Sequence, residues 1–391
     1  MTVEGGDAEE GTVPVTVVTG ALGAGKTTLV NRLLTAPGDR RIALIVNDVG
    51  EVNVDAELVE AEEDGIVDLS NGCICCRLRD DLVTEAARLA RERTFDYLVI
   101  EASGISEPVP IARTLTVGSE DGPDPADDYR LDTVVTVVDA YGFWKEFDAG
   151  ADLPPGHDPD RPLADVLVDG IEFCDVLLLN KCDMVPDDVL EEIEAVIRRL
   201  QPRAALHRTT HSDVPPDAVL GTGRFDFEAA SREQGWKREL AGGGRDDGGG
   251  DDHGYDGGHG HGDGHDHDRD RSAAEAHGVE SFVYERDRPF HSRRFADWLD
   301  DWDGAIVRAK GFCWLASRPE EVIGLNQAGP SLRVGPIGEW GEDDPVTRLV
   351  FIGSDLDPER RRTELDACLL GADERDVAAD ADPFPRETLL K

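Results

Sequence analysis

Short unbroken apolar runs recur through the first half of the chain. Val13–Thr19, Ile42–Val46, Tyr97–Ile100, Thr133–Val138 and Val176–Leu179 are rich in β-branched residues or leucine and are bounded by polar or turn residues. Runs of this length without alternation predict strands buried on both faces. Ile66–Leu69 reads as a shorter strand, and Thr28–Leu34, Leu78–Arg91 and Asp187–Leu200 are helix-compatible. Strand–helix alternation over 13–228 predicts an α/β domain, a doubly wound and mostly parallel sheet with helices on both faces.

The pattern then stops. Of the 31 residues from 241 to 271, twelve are Gly, nine Asp and five His, so the segment 229–277 is expected to be a disordered linker. A smaller α+β domain is expected over 278–371. Its strands are predicted at Ser281–Tyr284, Ile306–Ala316 and Leu349–Ile352, and its helices at His291–Trp302 and Pro358–Leu370. Residues 1–12 and 372–391 read as a disordered start and a loose acidic tail.

Charge narrows the partners. The formal net charge is -43, from 83 acidic and 40 basic residues, which argues against nucleic acid and against an anionic membrane surface. Only six of the basic residues are Lys; a dense, Lys-poor acidic surface suits a halophilic, high-salt cytoplasm, where salt screens the repulsion. The start of the chain lacks a signal-peptide pattern and no apolar run reaches the ~18 residues of a membrane span, so a cytoplasmic location is expected.

Gly20-Ala21-Leu22-Gly23-Ala24-Gly25-Lys26-Thr27 fits the P-loop pattern, between a buried strand and a helix as that motif requires. The backbone of Gly20, Gly23, Ala24, Gly25 and Thr28 would wrap phosphates, Lys26 would reach the β- and γ-phosphates, and the Thr27 hydroxyl would ligate Mg²⁺. Glu101-Ala102-Ser103-Gly104 ends a later strand. Glu101 is placed to hold Mg²⁺ through water and Gly104 to give its N–H to the γ-phosphate; the bland reading is a capped turn. Asn180-Lys181-Cys182-Asp183 follows another strand. An Asp183 carboxylate can accept from N1–H and the 2-amino group of guanine, which adenine does not offer, so GTP is favoured over ATP; the bland reading is a strand-end turn.

The seven cysteines include three in four positions, Cys73, Cys75 and Cys76. Thiolates select Zn²⁺ or Cu(I); a redox pair and three buried small residues are the alternatives. Cys174, Cys182, Cys313 and Cys368 are scattered and read as structural. His253, His259, His261, His265 and His267 stand on the Gly/Asp linker, as weak metal ligands or as an unselected spacer.

Together these motifs resemble the CobW-type metallochaperone GTPases, relatives of the GTPases that mature hydrogenase and urease. The resemblance runs from Val13 to Leu370 and includes Asn47–Asp55, Gly72–Cys76, Arg288–His291, Arg308–Phe312 and Phe351–Gly353. It implies a P-loop NTPase domain followed by a CobW-like C-terminal domain. It further implies GTP and Mg²⁺ as ligands, and Zn²⁺ or Co²⁺ on Cys73, Cys75, Cys76 and Glu51 for an unidentified metalloprotein client. The family usually carries Asn-Glu-Phe-Gly where this chain has Asn47-Asp48-Val49-Gly50, and the Cys-Pro-Glu-Leu-Val-Pro docking motif of some members is absent. The competing functions are a P-loop small-molecule kinase or ATPase with structural cysteines, and a metal buffer built on the histidines.

Overall fold

The structure, a computed structural model, describes residues 12–46, 66–68, 77–92, 95–102, 104, 108–116, 125–148, 163–226, 279–301, 306–341, 343–354, 356–372, 374 and 382–386. It divides into two compact units, Met1–Asp187 with Arg203–Arg232, and Asp188–Pro202 with Glu233–Lys391.

The first elements in chain order are β1 (Val13–Thr19), α1 (Lys26–Thr35), β2 (Ile42–Val46), β3 (Ile66–Asp68), α2 (Arg77–Glu92), β4 (Tyr97–Glu101) and α3 (Pro108–Thr116). There follow α4 (Pro125–Asp128), β5 (Tyr129–Asp139), α5 (Phe143–Asp148), α6 (Leu163–Phe173), β6 (Val176–Asn180), α7 (Asp187–Leu200) and β7 (Ala205–Arg208). Helix α7 joins β6 to β7 in sequence, but from Asp188 onward it falls in the second unit. The strands form one parallel sheet of order β3-β2-β4-β1-β5-β6-β7. The unalternated apolar runs explain it: β4 and β6 are buried along their whole length. Helix α1 buries Leu29, Val30 and Leu33 against this sheet, each contributing about 1.5–3 kcal/mol.

The second unit continues with β8 (Val279–Arg286), α8 (Ser292–Asp300), β9 (Ile306–Cys313), β10 (Glu321–Ala328), β11 (Ser331–Glu339), β12 (Thr347–Ser354) and α9 (Pro358–Cys368). Its antiparallel sheet runs β11-β10-β9-β12-β8. The core joins Phe282, Tyr284, Phe351 and Ile323 of the strands to Phe295 and Leu299 of α8 and Leu365 of α9.

Two expectations change here. Strand β9 ends at Cys313 rather than Ala316, because the next residues turn to pair with Phe290: its N–H donates to Trp314 O, and Ala316 N–H donates to Phe290 O. The expected loose acidic tail is docked over 382–386. The Phe384 ring joins the core of the second unit and the Asp382 carboxylate pairs with Arg318. The ring and the buried carboxylate together anchor a stretch that otherwise reads as polar.

Candidate functional site

Strand β1 lies between β4 and β5, so the chain leaves it in one direction through β2 and returns on the other side through β5. Ligands of open parallel sheets bind at such a switch point, beyond the carboxyl ends of the strands. The register aligns those ends: Val18 lies beside Glu101 and Asp139 beside Asn180. One sheet edge thus gathers Gly20–Thr28, Glu101 and Asn180–Asp183 from three separate stretches of sequence.

The loop after β1 enters α1 through Gly25, whose φ of 114° is unfavourable for any side chain. A Cβ there would lie 2.4 Å from Asn180 Nδ2. Lys26 opens the helix and is only 4% exposed; its Nζ donates to Ala21 O at 3.2 Å, keeping the ammonium within the loop. The Thr27 hydroxyl donates to Glu101 Oε1 at 2.8 Å, and Glu101 is buried. A hydroxyl beside a carboxylate is an all-oxygen donor set that fits a hard divalent cation such as Mg²⁺. Gly104 lies against the same loop, since a Cβ on it would come within 2.7 Å of Leu22 N. Thr28 is exposed and, with Asn31, Arg32 and Asp213, lines a cavity of about 770 Å³.

Asn180 ties the site together. Its amide donates to Ala24 O at 2.8 Å, and its Oδ1 accepts from Ser212 N–H at 2.8 Å and from Thr209 Oγ1 at 3.1 Å. Lys181 follows in a left-handed conformation, with its Nζ 2.6 Å from Asp139 Oδ2. Asp183 sits in the 3-10 turn Cys182–Met184 and is exposed, so its carboxylate is accessible to a ligand.

Asp139, Thr209 and Ser212 are positioning residues that the motif reading missed. The loop carrying Thr209 and Ser212 follows β7, as the other site loops follow their strands. That placement was the available signal, but Ala205–Arg208 is four residues long and not fully buried, so no apolar run marked it.

Glu51, Cys73, Cys75, Cys76, the segment Asn47–Asp55, Ser103, His253, His259, His261, His265 and His267 lie outside the described residues. Cys174 and Cys313 are buried, which pushes both thiols far above their ordinary range, and Cys368 is pushed up to about 11 by burial. Such thiols stay protonated and pack as small apolar groups. Among the described residues no helix is long and apolar enough to cross a membrane.

The family pattern described as the CobW/HypB/UreG nucleotide-binding domain matches residues 14–208, and the cobalamin synthesis protein cobW C-terminal domain matches 279–369. The chain is 36% identical over 405 residues to a Dictyostelium discoideum protein named zinc-regulated GTPase metalloprotein activator 1, covering 92% of this chain and 80% of that one. It is 29% identical to a Sinorhizobium protein named zinc chaperone CobW, over 92% of this chain and 98% of the other. Among solved structures, the Zn(II)-bound YjiA GTPase from E. coli aligns over 91% of this chain and 99% of its own, at 22% identity and a TM-score of 0.41.

Proposed function

The chain belongs to the CobW/HypB/UreG family, and from that premise we propose that it is a GTP-hydrolysing metallochaperone whose nucleotide state governs the holding and release of Zn²⁺ or Co²⁺ for a metalloprotein client. The observation that carries the guanine part is the Asn180 bridge. It braces Ala24 of the phosphate loop and Ser212 of the loop after β7, and it sets Asp183 in an exposed turn three residues on. An exposed carboxylate at that edge supports guanine over adenine, and the similarity to a protein named as a GTPase disfavours a small-molecule kinase or ATPase.

The residues divide the work. The backbone N–H groups from Gly23 to Thr28 bind phosphate oxygens, aided by the positive end of α1. Lys26 moves its ammonium from Ala21 O to the β- and γ-phosphates, an exchange of one acceptor for another. Thr27 and Glu101 are the groups that would hold Mg²⁺, which when bound supplies positive charge to the phosphate oxygens. Gly104, which lies against the phosphate loop, would give its N–H to the γ-phosphate. Lys181, fixed by Asp139, and Asp183 hold the base.

The cargo metal enters as a substrate. Cys73, Cys75 and Cys76, with Glu51, are its proposed ligands. The proposed coupling is that a bound γ-phosphate fixes the geometry of the two segments that carry them, 48–55 and 73–80, the second of which runs into α2. The location proposed for this chemistry is the cytoplasm, and the linker histidines are proposed as weak sites for the same ions.

Asp183→Asn tests the base assignment. Steady-state turnover with GTP and with ATP is expected to show GTP preference reduced about 10- to 100-fold, the value of one charge-assisted hydrogen bond or two. Discrimination unchanged in that variant would sink the assignment.

A further inference from the structure

The docked tail has the chemistry of a ligand. Arg318 stands in the turn between β9 and β10, with its side chain only 4% exposed, and directs its guanidinium at three acceptors of the tail. Nη2 donates to Asp382 Oδ1 at 3.0 Å and to Phe384 O at 2.5 Å, and Nη1 donates to Pro385 O at 2.9 Å. Glu321 lies farther off, at 3.7 Å. Ser317 Oγ donates to the other oxygen of Asp382 and is itself bonded to Ser292 Oγ at 2.7 Å. The Asp382 side chain is wholly buried. Two positions on, the Phe384 ring lies 5.9 Å from that of Phe295, which stacks on Phe290 at 4.2 Å.

The receiving surface is built from residues outside the tail. Ser292, Phe295, Ser317 and Arg318 all come from residues 290–318. That stretch is tied to itself through Phe290 and Trp314, and to α9 by His291 N–H donating to Cys368 O. The incoming segment meanwhile contributes only one carboxylate, one aromatic ring and two main-chain carbonyls. Pro383 and Pro385 lack N–H groups and restrict the backbone, so little order is lost on docking and no donor is left unmet beside Arg318. Main-chain carbonyls read by a rigid guanidinium fork, with pockets for alternate side chains, are the marks of short-peptide recognition.

We infer that Ser317, Arg318 and Phe295 form a peptide-binding site for an acidic–Pro–aromatic–Pro segment, occupied in cis by residues 382–386 and open in exchange to a partner protein's segment of the same chemistry. A guanidinium buried to this degree would be left without these acceptors in an empty site, which strongly disfavours that state. The tail therefore leaves only when a like segment replaces it, which makes it a built-in competitor. This inference stands apart from the nucleotide chemistry and survives its failure.

The test uses the full chain with a protease site inserted between Glu374 and Asp382. After cutting, a fluorescein-labelled peptide of residues 380–388 is expected to bind saturably, displacing the severed tail. Peptides carrying Asp382→Asn or Phe384→Ala are expected to bind at least ~10-fold more weakly, with the protein itself unchanged. The uncut chain is expected to bind the labelled peptide at least ~10-fold more weakly than the cut chain, because the tethered tail competes at millimolar effective concentration. Phe384→Ala placed in the uncut chain is expected to restore tight binding of the wild-type peptide, which keeps the test sound if cutting unfolds the protein. Failure of that variant to gain affinity, binding indifferent to both peptide changes, or a severed tail that never exchanges would each overturn the inference. A concentration-dependent dimer of the uncut chain, seen by light scattering, would overturn the cis assignment in favour of a tail donated by a second copy.

Discussion

Asp175 shows how one buried polar atom can tax a fold. It precedes β6, is 8% exposed, and accepts the N–H of Val134 at 2.8 Å. Burial pushes its carboxyl up to about 6, with the charge of Asp132 adding to the rise and the Val134 bond, Arg203 and Arg224 opposing it. A folded-state value above the unfolded one means that the ionised form is penalised in the native state. The stability it contributes is full below about pH 4 and is lost as pH rises through about 6. Asp175→Asn keeps an acceptor for Val134 and removes the charge. It is expected to stabilise the protein by about 1–3 kcal/mol at pH 7 and to flatten the pH dependence between 4 and 6, as read by denaturant unfolding. Nothing in the sequence marks Asp175 apart from the other acidic residues; its burial follows from the strand crossing it.

Elements differed in how plainly they could be read. The buried parallel strands were legible, because a run such as Val176–Leu179 has no polar face to offer water. The hairpin of β10 and β11 was not, since Gly324, Gly335, Pro336 and Gly338 interrupt it. Pairing of β10 with β9 and of β11 with β10, not local preference, makes these residues strands. Gly311, within the Arg308–Phe312 motif of β9, has a φ of 148°, and a Cβ on it would meet Arg348 O of β12 at 2.2 Å. Gly311→Ala is expected to destabilise the second unit by about 2–4 kcal/mol in denaturant unfolding, while leaving GTP turnover intact in the undenatured protein.

At the scale of the whole molecule, charge and linkage dominate. With a net charge of -43, self-repulsion favours assays at high salt, where screening lengths shrink to a few ångströms. If GTP orders the segments that carry Cys75 and Glu51, metal affinity must depend on nucleotide, and nucleotide affinity on metal, by the same factor. Zn²⁺ dissociation constants measured with a GTP analogue and with GDP are expected to differ about 5- to 150-fold, and Cys75→Ser is expected to remove the tight site. Equal affinities in the two nucleotide states would end the coupling mechanism even if the cysteines bind metal.

The phosphate loop was determined by sequence alone, because its eight residues are contiguous and its function rests on local backbone geometry. The same holds for the tetrapeptide Asn180–Asp183 proposed to read the base and for the parallel sheet, whose apolar runs leave one way to hide from water. Only the tertiary structure decided which groups hold those motifs in place. Asn180 reaches Ala24 across 156 residues of chain, and a hydrophobic pattern carries no information about which polar partner a side chain will meet. For the same reason the tail read as solvent-exposed: Asp382 is one of 83 acidic residues, and it becomes a buried anchor only because the fold sets Arg318, 64 positions away, in its path.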